Sequence, residues 1–333
     1  MWFKELTGFS ENSPYQVREN LILDGENLIS KVTGKCFSCG SLSIPSLGEL
    51  RGELQSRGFP SGKISLNEII ADVQELHKDK ENTGSLFQVA SQFNLLEMVS
   101  PEVSPDSGVD GYEYDHTQGP ACSIAAGAGT LFRNYFVTVN GQIGQSSDNQ
   151  IDTLVDLGEA LGNSDNSLWV MKNGYALASK SGLETISKTL SDSNESEVDE
   201  LRQLLRIGLQ HDTEVTISTS RHKVSQAYCS ALPIAYSQYS AELWKPFAEL
   251  VLEASYEATI CAAIINSAKP TGNNKVFLTL LGGGAFGNDL GWIINAIERA
   301  VMRYRNYKLD VFVVSYRASN SHLHDLINRF NMQ

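Results

Sequence analysis

The chain has 333 residues, 41% hydrophobic and 20% charged, with 39 acidic against 26 basic side chains and a formal net charge of −13. Such a composition is globular, and a surface this acidic excludes electrostatic capture of nucleic acid or of an anionic membrane. No apolar run approaches the roughly 20 residues of a membrane span, the N-terminal Met1-Trp2-Phe3-Lys4 stretch does not read as a leader peptide, and five cysteines fit free thiols in a reducing compartment, so a cytoplasmic protein is expected.

Residues 1 to 64 mix short β-like runs with Gly and Pro turns at Gly25, Gly34, Gly40, Pro45 and Pro60. Cys36 and Cys39 form one C-x-x-C, with no second Cys or His pair at zinc-site spacing, and the histidines are scattered, so no metal is expected. Ser65 with Glu68 has the form of a capping box and predicts a helix running to Lys78. The segment 85–94, ending Phe93-Asn94, reads as a buried strand that closes in polar residues, and a long polar loop from Met98 to Gln118 follows it. A loop of that length inside a compact domain points to function. A helix of small residues is expected over 120–135.

Two hairpins follow, with tips at Asn140-Gly141 and Asn173-Gly174, the dipeptide that favours a tight two-residue turn. The stretch 191–200 is polar and acidic and is expected to be a mobile loop, leading to a helix over 198–209. A strand is predicted over 228–236 and a nearly all-apolar, buried helix over 246–267. The run 276–281 is a fully apolar strand that enters Gly282-Gly283-Gly284-Ala285-Phe286-Gly287-Asn288. A helix then places Leu290, Ile293, Ile294, Ile297 and Val301 on one stripe, and 311–314 is a last buried strand. Strands alternating with helices imply parallel pairing in a layered α/β fold.

The glycine loop has the makings of an anion site. Glycines let backbone N–H groups close on a phosphate, and the N-terminus of the following helix adds partial positive charge. An acidic chain could hold a diphosphate in this way without a basic patch. The loop lacks the Lys-Ser/Thr of a Walker A motif, and its position near the C-terminus does not fit the dinucleotide-binding fingerprint. Phe286 is placed to stack on a ribose or base.

The second candidate is the loop before Gln118. Asp106, Asp110, Glu113 and Asp115 lie close together with Tyr112, Tyr114 and His116, and Gln118-Gly119-Pro120 opens the small-residue helix. Clustered carboxylates can fix ribose hydroxyls, orient a water, stabilise an oxocarbenium-like transition state or hold a cationic leaving group. Cys122, at the helix start, reads as a packed thiol rather than a nucleophile.

Taken together, Val89-Ala90-Ser91-Gln92-Phe93-Asn94, the Gln118-Gly119-Pro120 helix start, the 228–236 strand with its long helix and the 278–288 glycine loop resemble, in that order, the macrodomain superfamily. The likeness covers residues 85–317 and lies within its poly(ADP-ribose)-glycohydrolase-like branch, nearest to the Legionella-effector-type hydrolases that remove ADP-ribose from arginine. The resemblance implies a three-layer α/β/α sandwich with a mixed, mostly parallel sheet, in which residues 85–333 form the ADP-ribose-binding domain, with insertions around 136–225, and residues 1–84 are an N-terminal extension packed on it. It implies ADP-ribose as ligand, no metal or cofactor, and a mono-ADP-ribosylated protein as partner. Gln92, Asn94, Gly119, Gly282, Gly283, Gly284, Ala285, Phe286, Gly287 and Asn288 are then the ligand-binding residues, with Asp110, Asp115, Asp106 and Gln118 as the catalytic group. The glycines that usually follow the Asn are replaced here by the acidic loop, and the paired glutamates of the polymer-degrading enzymes are absent, which favours a single ADP-ribose on a cationic acceptor. Two other readings remain open: an ADP-ribose reader without catalysis, and a different nucleotide-sugar or dinucleotide enzyme.

Overall fold

The computed structural model describes residues 1–59 and 61–332. At the centre is a seven-stranded sheet built from β1 (Ser41–Ser43), β2 (Ile64–Ile70), β3 (Leu86–Ala90), β4 (Gly208–Glu214), β5 (Lys223–Cys229), β6 (Lys275–Leu278) and β7 (Leu309–Ser315). In space they run β1, β4, β5, β3, β6, β7, β2. β4 is antiparallel to both neighbours, and every other pairing is parallel. The expected mixed, mostly parallel sheet is therefore present.

Helices α1 (Leu47–Arg57), α2 (Val73–Lys78), α3 (Gln118–Ala125), α4 (Gly127–Tyr135), α5 (Lys180–Asp192), α6 (Glu195–Leu204), α7 (Ala241–Ser267), α8 (Leu290–Arg303) and α9 (Ser321–Asn331) complete the layers. On one face, Leu86, Leu278, Val311 and Val313 pack under α1, α7, α8 and α9. On the other, Phe87, Val89, Phe277 and Phe312 pack under α2 and α3. Alternate residues of one strand thus enter opposite cores, which is why these strands read as unbroken apolar runs. Phe87, Phe277 and Phe312 stack in a row across three strands, with centroids 4.5 and 5.4 Å apart. A third core, around Phe3, Val17, Leu28 and Tyr135, joins residues 1–39 to α4.

Several local expectations are corrected by tertiary pairing. The Ser65/Glu68 pattern does not start a helix: 64–70 is β2, paired in parallel with β7 along its whole length. Ser65 donates to Asp310 at 2.8 Å, and the Glu68 carboxylate accepts from Ser315, Ser319 and the Asn320 N–H. The helix that follows is only Val73–Lys78, capped by Asp72. Residues 1–84 therefore supply both edge strands of the sheet, β1 and β2. The 120–135 helix is two helices, broken at Ala126. The strand expected over 228–236 is β5, which ends at Cys229. Both hairpins form, their Asn-Gly tips having positive φ at each residue.

The acidic stretch 191–200 is not a loop. Asn194 and Glu197 form a capping box that starts α6, so the helix expected over 198–209 is present but spans Glu195–Leu204, and β4 opens at Gly208. The charges of α6 belong to an ion cluster between helices. Glu257, fully buried on α7, accepts from Arg51 Nε at 2.6 Å, Arg299 at 2.6 Å, Arg303 at 3.0 Å and the Tyr304 hydroxyl at 3.0 Å. Asp199 takes Arg51 at 2.6 Å and Arg299 at 3.2 Å, while Arg202 joins Glu253 at 2.6 Å. Burial alone would raise the Glu257 carboxyl, but the hydrogen bonds and charges of Arg51 and Arg299 hold it below its usual value.

Candidate functional site

The carboxyl ends of β5, β3 and β6, three adjacent strands, open on one edge of the sheet, where open α/β sheets form their ligand crevices. The chain leaves β3 through Ser91–Glu97, β5 through 230–236 and β6 through the glycine loop. Ser91 N–H donates to Cys229 O at 2.8 Å, Ala235 N–H to Phe286 O at 3.0 Å and Asn288 Nδ2 to Leu232 O at 2.8 Å. These bonds bind the three exits into one rim.

The glycine loop keeps its shape through its own backbone. Gly282 and Gly287 have φ of +74° and +71°, which only glycine adopts at little cost, and a Cβ on Gly282 would strike Ala231. Gly283 N–H donates to Leu280 O, Gly287 N–H to Gly284 O and Asn288 N–H to Gly282 O. From beneath, the buried Tyr256 hydroxyl donates to Thr279 O at 2.6 Å and accepts the Leu281 N–H at 2.8 Å. Gly283, Gly284 and Ala285 are exposed. Among the described residues, the consecutive N–H groups of Gly284, Ala285 and Phe286 meet no acceptor. The side-chain oxygen of Asn288 is also buried there without a partner.

The neighbouring helix does not contribute as expected. α8 begins at Leu290, and the Asp289 carboxylate caps its Gly291 and Trp292 N–H groups at 2.8 and 3.3 Å. A carboxylate already occupies that helix end, so any anion-holding capacity here rests with the loop N–H groups.

Three aromatic rings tie the loop to the opposite wall. Phe286, Tyr175 from the second hairpin and Tyr236 from the β5 exit have centroids 5.2 to 5.8 Å apart. The hairpin tip packs on the β3 exit: Phe93 N–H donates to Gly174 O at 2.9 Å, and a Cβ on Gly174 would lie 2.6 Å from Asn94 Oδ1. Asn94 is wholly buried, its Oδ1 accepting the Leu96 N–H and its Nδ2 donating to Gln150 at 2.9 Å. Gln92 is buried too, accepting the Met98 N–H at 2.7 Å. Both amides brace the rim in this conformation.

The carboxylates of the acidic loop separate. Asp106 is exposed and caps the Ser147 N–H at 2.7 Å. Asp110 lies on the N-terminal segment, where its N–H donates to Glu11, its Oδ1 is buried without a partner and burial raises its carboxyl. Asp115 is half-buried at the start of α3, accepts the Thr117 N–H at 2.9 Å and acts electrostatically on both Glu97 and Tyr175. Of the three, Asp115 is the one whose charge is felt by Tyr175 of the aromatic wall. His116 is exposed. Gln118 joins α3 to β3, accepting the Ala90 N–H at 2.9 Å and donating to Gln88 O at 2.8 Å. Cys122 is buried, and burial pushes its thiol up, away from nucleophilic reactivity.

Reasoning from the sequence overlooked Glu97. Its Oε1 accepts the Ser123 hydroxyl at 3.5 Å, its N–H donates to the Tyr112 hydroxyl at 2.8 Å, and its Oε2 is one of the atoms a Cβ on Gly119 would strike. Burial lifts its carboxyl well above the usual range, the charge of Arg133 offsets this in part, and Asp115 adds to the rise. Arg133 is itself buried, 3.6 Å over the Tyr228 ring. The sequence signal was slight: an acid three residues after Asn94, within an apolar run. Among the described residues no cluster of three His, Cys, Asp or Glu side chains is placed to hold a metal ion, and no helix is long and apolar enough to cross a membrane.

No family model and no curated protein sequence matches the chain. Solved structures do. The chain is similar to the poly(ADP-ribose) glycohydrolase of Thermomonospora curvata, at 12% identity over 95% of this chain and 97% of that one, with a TM-score of 0.44. The same enzyme bound to the inhibitor ADP-HPD gives the same values. The Deinococcus radiodurans poly(ADP-ribose) glycohydrolase in complex with ADP-ribose is 10% identical over 88% of this chain and 93% of that one, with a TM-score of 0.46. These structures are poly(ADP-ribose) glycohydrolases, so the expected nearness to the arginine-specific hydrolases is not supported, and likeness this distant transfers no residue role.

Proposed function

We propose that the chain is an ADP-ribosyl hydrolase that binds ADP-ribose in this crevice and releases it from a mono-ADP-ribosylated protein, with arginine as the modified residue. The observation that carries the reading is the loop 284–286: three successive N–H groups that meet no acceptor among the described residues, on exposed Gly284 and Ala285 and half-buried Phe286, at the carboxyl end of a central strand, with the Phe286 ring against Tyr175 and Tyr236. That arrangement suits a diphosphate in a protein of net charge −13, because backbone dipoles can hold an anion without a basic side chain. Gly282 and Gly287 shape the loop, Asn288 fixes its end, and Phe286 with Tyr236 flanks the adjoining ribose. Gln92, Asn94, Gly119 and Gln118 hold the β3 exit against α3.

Asp115 is assigned as the base. It takes a proton from a water that adds to C1 of the distal ribose as the bond to the guanidinium nitrogen breaks. The guanidine leaves neutral and takes up that proton. Burial, which raises the Glu97 carboxyl well above its usual range, disfavours a second negative charge there, and Asp115 is assigned to face the developing oxocarbenium ion. Asp110 and Asp106 are assigned to holding the acidic loop on the N-terminal segment and on Ser147.

Calorimetric titration with ADP-ribose tests the ligand half of this reading. Saturable binding is expected in the parent chain and in Asp115→Asn, and its loss in Ala285→Pro, which deletes the central N–H of the loop. Failure of the parent chain to bind, or unchanged binding in Ala285→Pro, would overturn it.

A further inference from the structure

The opposite end of the sheet is hollow. A cavity of about 320 Å³ opens between α1 and the C-terminal part of α7, above β1, β4 and the first residue of β3. Its walls are largely apolar, formed by Leu50, Leu86, Leu209, Ala262 and Ile265. Counting along α7 from Tyr256, which braces the glycine loop, to Asn266 gives a separation of about 15 Å, so this is a second place on the molecule.

A row of polar groups runs along one side of the cavity. Lys269 Nζ lies 2.9 Å from His211 Nδ1, and His211 Nε2 lies 2.9 Å from the Ser43 hydroxyl. An ammonium can only donate, so Nδ1 accepts, the imidazole carries its single proton on Nε2, and that proton goes to the Ser43 oxygen. The Ser43 O–H and the remaining Lys269 N–H bonds are left to face a ligand. The other charges nearby are already engaged. Glu53 pairs with Arg57 at 2.9 Å, and Glu49 with Arg206 at 3.1 Å. Asp212 and Glu53 act on Lys269 only through space, and among the described residues no carboxylate forms an ion pair with it. Burial lowers the Lys269 ammonium, and burial, then Lys269, lowers His211 to about 4, so the imidazole is neutral at physiological pH.

From an unpaired, half-buried ammonium, a free hydroxyl donor and an apolar chamber behind them, we infer that this cavity binds a small carboxylate with a short aliphatic tail. The headgroup supplies the negative charge that the Lys269 side lacks. The tail replaces water against Leu50, Leu209 and Ile265, and the volume is at the lower end of small-molecule sites.

The test is calorimetric titration of the full chain with acetate, butyrate and hexanoate, alongside hexanol and inorganic phosphate. Saturable binding at one site per chain is expected, tightening about fourfold per added methylene. Hexanol, without the charge, and phosphate, without the tail, should each bind about tenfold or more weaker than hexanoate. Lys269→Met, which keeps the aliphatic stem, and Ala262→Leu, which fills the chamber, should each abolish hexanoate binding while leaving the ADP-ribose response as in the parent chain. If Ala262→Leu fails to fold, the exposed-end change Lys269→Met decides. Absence of saturable binding in the millimolar range, affinity independent of tail length, phosphate binding as tight as hexanoate, or unchanged hexanoate affinity in Lys269→Met would each overturn the assignment.

Discussion

Gly119→Ala isolates the junction on which the crevice depends. The helix α3 starts so close to the end of β3 that a methyl group on Gly119 would strike the Ala90 carbonyl and Glu97 Oε2, and lie 2.9 Å from Glu97 Cδ. Ala90 is fixed by its sheet pairing and by Gln118, and Glu97 is hemmed in by Ser123 and Tyr112, so neither obstacle can move freely. Alanine would otherwise gain up to about 1 kcal/mol over glycine in a helix, whereas overpacking costs about 1–3 kcal/mol. With a backbone carbonyl among the obstacles, the net loss should be about 2 kcal/mol. An unfolding entropy of about 2.1 cal/mol/K per residue makes that about 3 °C in Tm for a chain of this length. Gly111→Ala in the same loop is the control: a Cβ there meets nothing within 4 Å, and its effect should stay within about 0.5 kcal/mol. Thermal melts of the two variants beside the parent give the answer. Equal melting of Gly119→Ala and Gly111→Ala would refute the close approach of α3 to β3.

Two further perturbations test groups buried elsewhere. Glu257→Ala leaves Arg51, Arg299 and Arg303 without their common acceptor, and losing one partner of a buried ionic cluster costs about 3–5 kcal/mol, read as a lower urea midpoint with an unchanged slope; a midpoint within error of the parent would mean the cluster is solvated. Glu97, with its folded-state carboxyl raised by burial, contributes stability that is full below the unfolded value of about 4.3 and is lost as pH rises through the folded one. Glu97→Gln should therefore gain on the parent as pH rises above the unfolded value of about 4.3, and melts whose difference stays constant with pH would contradict a raised carboxyl.

How far the sequence revealed these features depended on whether a feature was local. β3, β6 and β7 were legible because both faces are buried and their apolar runs carry no helical period. α7 and α8 were legible from length and stripe, and the hairpins from Asn-Gly. β2 was not, because the Ser65 and Glu68 side chains that imitate a helix cap are taken by Asp310, Ser315 and Ser319, residues some 250 positions away in the chain. α6 was hidden for a similar reason: its acidic residues looked like a solvated loop, yet Asp199 faces Arg51 and Arg299 across two other helices. In the candidate site, the glycine loop could be located from its own residues. Which acid of 106–115 faces the crevice could not, since that depends on how residues 1–11 pull Asp110 aside. Glu97 comes from a segment that carries no motif, Tyr175 follows a hairpin tip that marks a turn but no site, and only folding brings the two within the electrostatic reach of Asp115.

The central claim is most directly tested by incubating the full chain with proteins bearing arginine-, glutamate- and serine-linked mono-ADP-ribose and measuring free ADP-ribose, with Asp115→Asn in parallel. Release from the arginine-linked substrate, abolished in Asp115→Asn although that variant still binds ADP-ribose, is the expected result. Binding without release from any of the three linkages would contradict hydrolysis and leave a reader of ADP-ribose, while full activity in Asp115→Asn would remove Asp115 from the chemistry.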